Sequence, residues 1–312
     1  MTSNYKEYWL SVYVYFDGNI YSDYCDDVIR DILAPFIGDK ENQKYFEKYF
    51  FIRYSDSGSH LRIRFLGDPE KLKVELKPYF EYSVKKKLAV FIANNKGNDE
   101  KFFVRWVPYE PEYKRYGGEE AIKIAEEFFY YSSETAIEII KLLSRGDKAS
   151  RLGKGLALMV ILLQRFYGGD KEKAAKLVAS YSSGYLKAIA KEEKYHEAWV
   201  ECFDTGFNTQ SEKLIELVNS IWAFLTEGEE LPYPLNNYSK NLETVAKKLR
   251  SLCVNKGVLI LQNPVENWET CLSFIIPSYL HMMNNRLGIT IQEEAYLAHL
   301  IFKGIEVENF VK

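Results

Sequence analysis

Cysteine, histidine and methionine are scarce in this chain, four of each among 312 residues, and that scarcity narrows the chemistry. Cys25, Cys202, Cys253 and Cys271 are scattered and form no CxxC pair. The pattern suits reduced, buried thiols in a cytosolic protein and speaks against a disulfide framework or a zinc site. His60, His196, His281 and His299 lie far apart, so no metal centre is expected, and no other cofactor either. Long hydrophobic runs are missing too. The longest, Leu156 to Leu163, has eight residues and cannot span a bilayer. Met1 to Glu7 is polar, so no signal peptide is expected ahead of the first strand. Charge of either sign is not in excess: 41 Lys plus Arg against 44 Asp plus Glu leaves a net −3. Direct nucleic-acid binding is therefore not expected. The chain has no GxSxG, HExxH or GxGxxG, and Gly153-Lys154-Gly155 lacks the flanks of a phosphate loop.

Aromatic residues, by contrast, are abundant. Tyr and Phe number 24 and 19, which predicts an aromatic core and an aromatic-lined cleft. With 47% apolar and 27% charged residues, the chain is long enough to fold as one large domain or two modest ones.

The first third alternates strand and helix patterns. Tyr8 to Phe16, Tyr49 to Tyr54 and His60 to Leu66 are rich in β-branched and aromatic residues and read as strands. Between the first two, Val28, Ile29, Ile32, Leu33 and Phe36 fall at helical spacing, with Gly38 as a stop. Asp68 as N-cap and Pro69 at the first helical position open a second helix carrying Leu72, Leu76 and Phe80. Leu88 to Ala93 and Lys101 to Val107 read as two further strands joined by a Gly97-Asn98-Asp99 turn. The order β-α-β-β-α-β-β predicts a ferredoxin-like sheet with one added strand. From Gly117 onward helical patterns take over, with Ser132 or Ser133 expected to cap a second helix after the first, and a loop at 227–238. The fold class is therefore α+β. A sheet-containing part (1–116) precedes a larger helical part (117–312), together forming one functional unit with the site between them.

Three segments carry side chains suited to chemistry. In His60-Leu61-Arg62-Ile63-Arg64-Phe65, strand alternation puts Arg62 and Arg64 on one face with His60 beside them. Two guanidiniums about 7 Å apart make a receptor for carboxylate or phosphate, although a solvated polar face would read the same way. In Glu110-Pro111-Glu112-Tyr113-Lys114-Arg115-Tyr116-Gly117-Gly118, Glu112 and Arg115 stand three apart, and the glycine pair permits close backbone approach. The plain alternative is a surface ion pair of little energetic worth. In Pro277 to Gly288, His281 begins a polar patch near a helix end that also holds Asn284 and Arg286. A free imidazole titrates at about pH 6.5 and can move protons near neutrality, though a lone histidine is often only bonded to a carbonyl.

Taken together and in this order, HLRIRF, PEYKRYGG and SYLHMMNNRLG resemble the C-terminal elimination domain of class I lanthipeptide dehydratases. That domain also occurs free-standing in thiopeptide and related bacteriocin clusters. The resemblance runs from YWLSVYVYF to HMMNNRLG and implies a cytoplasmic lyase that removes glutamate from glutamylated Ser or Thr of a ribosomal precursor peptide, leaving dehydroalanine or dehydrobutyrine. It implies Arg62, Arg64, Glu112, Arg115 and His281 as catalytic residues, and His60, Asn284 and Arg286 are added as substrate-binding candidates. The implied partners are the glutamylated peptide and a separate tRNA-dependent glutamylation subunit, since no region of this chain is left over for that step. Two alternatives stand beside it. One is a thiopeptide pyridine synthase joining two dehydroalanines by formal [4+2] cycloaddition, against which the retained arginine–histidine set argues. The other is a non-catalytic peptide-binding scaffold.

Overall fold

The computed structural model describes residues 8–95, 102–190 and 192–311. The chain divides into two compact units. The first holds residues 1–112 and 129–146, and the second 113–128 and 147–312.

The first unit is built on strands β1 (Tyr8–Tyr15), β2 (Lys48–Tyr54), β3 (His60–Gly67) and β4 (Phe103–Trp106). Their spatial order is β2-β3-β1-β4, and every neighbouring pair is antiparallel. Helix α1 (Asp23–Asp27), a wider π-helical stretch (Val28–Leu33), α2 (Ala34–Gly38) and the short α3 (Lys40–Gln43) connect β1 to β2. A second π-helical stretch (Lys71–Leu76) runs into α4 (Lys77–Asn95) between β3 and β4. Asp68 caps this helix, accepting from the backbone N–H groups of Glu70 and Lys71.

Strand alternation sends Leu61, Ile63 and Phe65 to a dry face, all at most 1% exposed. There Phe65 meets Phe36 and Phe80 edge-on, and Phe80 meets Trp106. The expected aromatic core is thus the joint between sheet and helices. Arg53 is buried on the same face but is matched. It binds the Asp26 carboxylate and the Ile20 carbonyl, so this buried charge is compensated.

Two expectations fail here. Residues 88–93 are not a strand but the continuation of α4, so among the described residues the sheet has four strands. A short apolar run fits a helix as well as a strand, and Lys85-Lys86-Lys87 offers no breaker before it. The Gly97-Asn98-Asp99 turn lies outside the described residues, as do Met1 to Glu7. Nor does Ser132 or Ser133 start a new helix, because α6 (Glu119–Leu142), which follows the single turn α5 (Tyr113–Tyr116), is unbroken. Ser132 donates back to the Phe129 carbonyl, while the Ser133 hydroxyl accepts the Phe51 N–H at the edge of the sheet.

The second unit is helical, as expected. Helices α7 (Lys148–Tyr167), α8 (Lys171–Ile189), α9 (Glu193–Asn208), α10 (Ser211–Glu227) and α11 (Leu235–Lys256) are followed by a hairpin of β5 (Val258–Ile260) and β6 (Asn263–Val265), then α12 (Trp268–Leu287) and α13 (Ile291–Val311). The longest apolar run explains itself. Leu156 to Leu163 is buried on every side because α7 is the central helix, packed by α8, α10, α11, α12 and α13. Among the described residues no helix is long and apolar enough to cross a membrane. The helical patterns in the sequence fall at 152–167, 171–190, 210–226, 241–254, 265–286 and 291–303, and they leave out α9 and the hairpin.

Candidate active site

In the first unit, β3 places His60, Arg62 and Arg64 opposite Tyr15, Tyr13 and Ser11 of β1 and opposite Tyr54, Ile52 and Phe50 of β2. His60 is only 1% exposed. Its Nδ1 lies 2.8 Å from the Gly58 carbonyl and its Nε2 lies 3.1 Å from Nε of Arg62. A carbonyl can only accept and a guanidinium can only donate, so Nδ1 carries the proton and the ring is neutral. Burial holds its pKa below the ordinary histidine value, and the charges of Arg62 and Arg64 push the same way. His60 therefore positions Arg62.

Ring faces complete the seat. The Arg62 guanidinium carbon is 3.4 Å from the Tyr54 ring centre and 4.7 Å from that of Tyr13. Arg64 lies between Phe50 and Tyr109, 5.1 Å and 4.9 Å from their ring centres. It is 8% exposed, and its Nε has no hydrogen-bond partner among the described residues. Burial lowers its pKa, and Glu112 exerts only a weak opposing pull. Among the described residues, neither Arg62 nor Arg64 forms an ion pair with a carboxylate. Cations held by π faces rather than by anions keep their charge for a guest.

In the second unit, Arg115 sits on α5 and donates from Nε to Ser278 Oγ of α12 at 3.1 Å. Arg115 and Ser278 border two cavities. One, about 690 Å³, is walled by Ser180, Tyr181, Tyr185 and Pro277. The other, about 800 Å³, is apolar, with Gly118, Leu259, Leu261 and Phe274. The hairpin β5–β6 explains the glycine pair after Arg115. Leu259 N–H donates to the Gly117 carbonyl at 2.9 Å, and a Cβ on Gly117 would stand 2.3 Å from Val258 Cγ1. Both glycines also have positive φ, +87° and +101°.

His281 lies one helical turn beyond Ser278 on α12. Its Nδ1 is 3.0 Å and 3.3 Å from the two carboxylate oxygens of Glu294, on α13. Tyr181 donates its hydroxyl to the same carboxylate. The histidine is thus held by a carboxylate rather than by a backbone carbonyl. Sequence reasoning missed Glu294. The only signal is the capping box just before it, in which Thr290 N–H donates to the Glu293 carboxylate, and that signal marks a helix start rather than a site.

Asn284 and Arg286 are fully enclosed. Asn284 donates to Met159 Sδ, and Arg286 donates to the Met282 carbonyl of its own helix. Both are walled off from solvent, which suits support of α12. The structure thus groups Arg62, Arg64 and His60 on one sheet face with Glu112 electrostatically near, and it groups Arg115 with the segment Ser278–His281.

The sequence model of the family described as lantibiotic biosynthesis dehydratase C-term matches residues 9–304. The chain belongs to that family. A curated relative, the epidermin biosynthesis protein EpiB of Staphylococcus epidermidis, is 31% identical over 298 residues, covering 93% of this chain and 25% of EpiB. The chain therefore spans about a quarter of that relative's length. Among solved structures, the fold resembles the pyridine synthase TbtD from thiomuracin biosynthesis with a TM-score of 0.73 at 17% identity, covering 98% of this chain and 100% of that one. It also resembles the tRNA-dependent lantibiotic dehydratase MibB from Microbispora sp. 107891, with a TM-score of 0.61 at 20% identity, covering 97% of this chain and 28% of that one.

Proposed function

We propose that this chain eliminates glutamate from glutamylated Ser or Thr residues of a precursor peptide, working beside a separate glutamylation subunit that uses glutamyl-tRNA. The observation that carries the reading is the pair Arg62 and Arg64, charged, seated on aromatic faces and matched to no carboxylate among the described residues. A glutamyl ester brings a free carboxylate and departs as a second one, and guanidinium forks suit both.

In the reaction a base takes the α-proton of the esterified residue. The electron pair left on Cα forms the Cα=Cβ bond, the Cβ–O bond breaks, and glutamate leaves as a carboxylate carrying the pair of that Cβ–O bond. The intermediate enolate-like oxygen also calls for cationic donors, a role we assign to the arginine set with Arg115. His281, oriented by Glu294, is the proton-transfer group, and Glu112 tunes Arg64. A ferredoxin-like reading of the sheet order belongs to the same proposal.

Cycloaddition of two dehydroalanines is the second reading, favoured by the full-length likeness to TbtD. Mass spectrometry of a glutamylated peptide incubated with the protein separates them. Release of glutamate with dehydrated Ser or Thr is expected, and a His281→Ala variant should leave the ester intact. An unchanged ester, with a dehydroalanine peptide converted to a macrocycle, would replace elimination with cycloaddition.

A further inference from the structure

Glu294 is the most deeply buried acid near the proposed chemistry, 1% exposed, at the start of α13. Three donors converge on it: His281 Nδ1, the Tyr181 hydroxyl and the Asn284 amide. Such a set suits a carboxylate, since a protonated acid would waste a donor on another donor. The first-turn position adds the favourable end of the helix dipole. Burial raises the pKa of Glu294 while the three bonds oppose that rise. Its partner differs in one respect: the His281 side chain is 22% exposed, so one edge of the ring reaches solvent. Tyr185, which lines the 690 Å³ cavity together with Tyr181, stands 6.2 Å from the imidazole.

We propose that Glu294 is a positioning residue that fixes the proton of His281 on Nδ1, leaving Nε2 bare and turned outward as the atom that takes or returns a proton. Tyr181 and Asn284 hold the carboxylate in turn, so the ring orientation is set from two helices at once. The proposal rests on the elimination reading for its catalytic consequence, but not for its geometry. The logic is that of a buried carboxylate fixing a histidine tautomer, in which loss of the charge leaves the ring in place but misassigns the proton.

The test uses the whole chain. In ¹⁵N-histidine NMR of the free protein, His281 is expected as the Nδ1–H tautomer, and Glu294→Gln is expected to shift it toward Nε2–H. With glutamylated peptide, E294Q should lower kcat by about 10²-fold or more at little change in KM, while Glu294→Asp should restore part of the loss. An unchanged tautomer or an unchanged kcat in E294Q overturns the proposal. Should E294Q fail to fold, E294D decides, because withdrawing the carboxylate by one methylene must reduce the Nδ1–H population. If the wild-type protein releases no glutamate, the elimination reading fails, and the tautomer comparison still judges the hold of Glu294 on His281.

Discussion

Arg64 shows how little a charge needs an opposite charge to be held in place. Phe50 and Tyr109 give it π faces, strand β3 gives it direction, and its Nε has no partner among the described residues. Lysine cannot reproduce a planar fork between two rings. Arg64→Lys is therefore expected to melt within about 4 °C of the wild type yet lose about 10²-fold in glutamate release, read by calorimetry and mass spectrometry. A second residue-scale prediction concerns acid. Folded His60 binds a proton less readily than the unfolded chain does, because of burial. As pH falls through about 6.5 the unfolded state gains that proton first, so stability is present above this pH and drains away below it. His299, also depressed by burial, adds the same sign. His60→Asn should narrow the difference in melting temperature between about pH 7.5 and 5.5. An undiminished difference would show that His60 is not the neutral ring described.

At the scale of elements, the hairpin β5–β6 seats the turn that carries Arg115. Gly117→Ala meets Val258 and a positive φ together, and should cost about 2 kcal/mol or more. Because Arg115 is two residues upstream, activity should fall further than stability. Gly146→Ala supplies the comparison: its φ is +75° but nothing lies within 4 Å, so only backbone strain is incurred and glutamate release should persist. Equal activity losses in the two variants would remove the hairpin from the account.

The same elements show what the sequence can reveal. HLRIRF was legible because alternation is local, and Asp68 because a cap and its N–H partners lie within three residues. The hairpin was not, since β5 and β6 have three residues each and offer no period to detect. Residues 88–93 misled because apolar runs of that length do not distinguish strand from helix. The five proposed catalytic residues stood out by their local chemistry, but only the family resemblance joined them into one set with a shared role. Glu294 was not visible, because its role depends on α8, α12 and α13 packing together, which no spacing in one helix encodes.

At the scale of the whole molecule, the first unit is not one continuous piece of chain. It lacks a closed core until residues 129–146 return to it, bringing Ser133 to Phe51, Tyr130 to Tyr49 and the Ile140 carbonyl to Arg30. A fragment of residues 8–116 should accordingly show no cooperative melt and little near-ultraviolet dichroism, whereas a fragment reaching residue 146 should recover some of both. A sharp transition in the shorter fragment would mean that the sheet and its own helices suffice. On the ribosome the same interleaving sets an order of events. The four strands emerge before the helix segment that completes their core, and residues 113–128 emerge before any of their own unit's long helices. Both units therefore begin synthesis incomplete, and the aromatic sheet waits, partly uncovered, for the chain to reach residue 146.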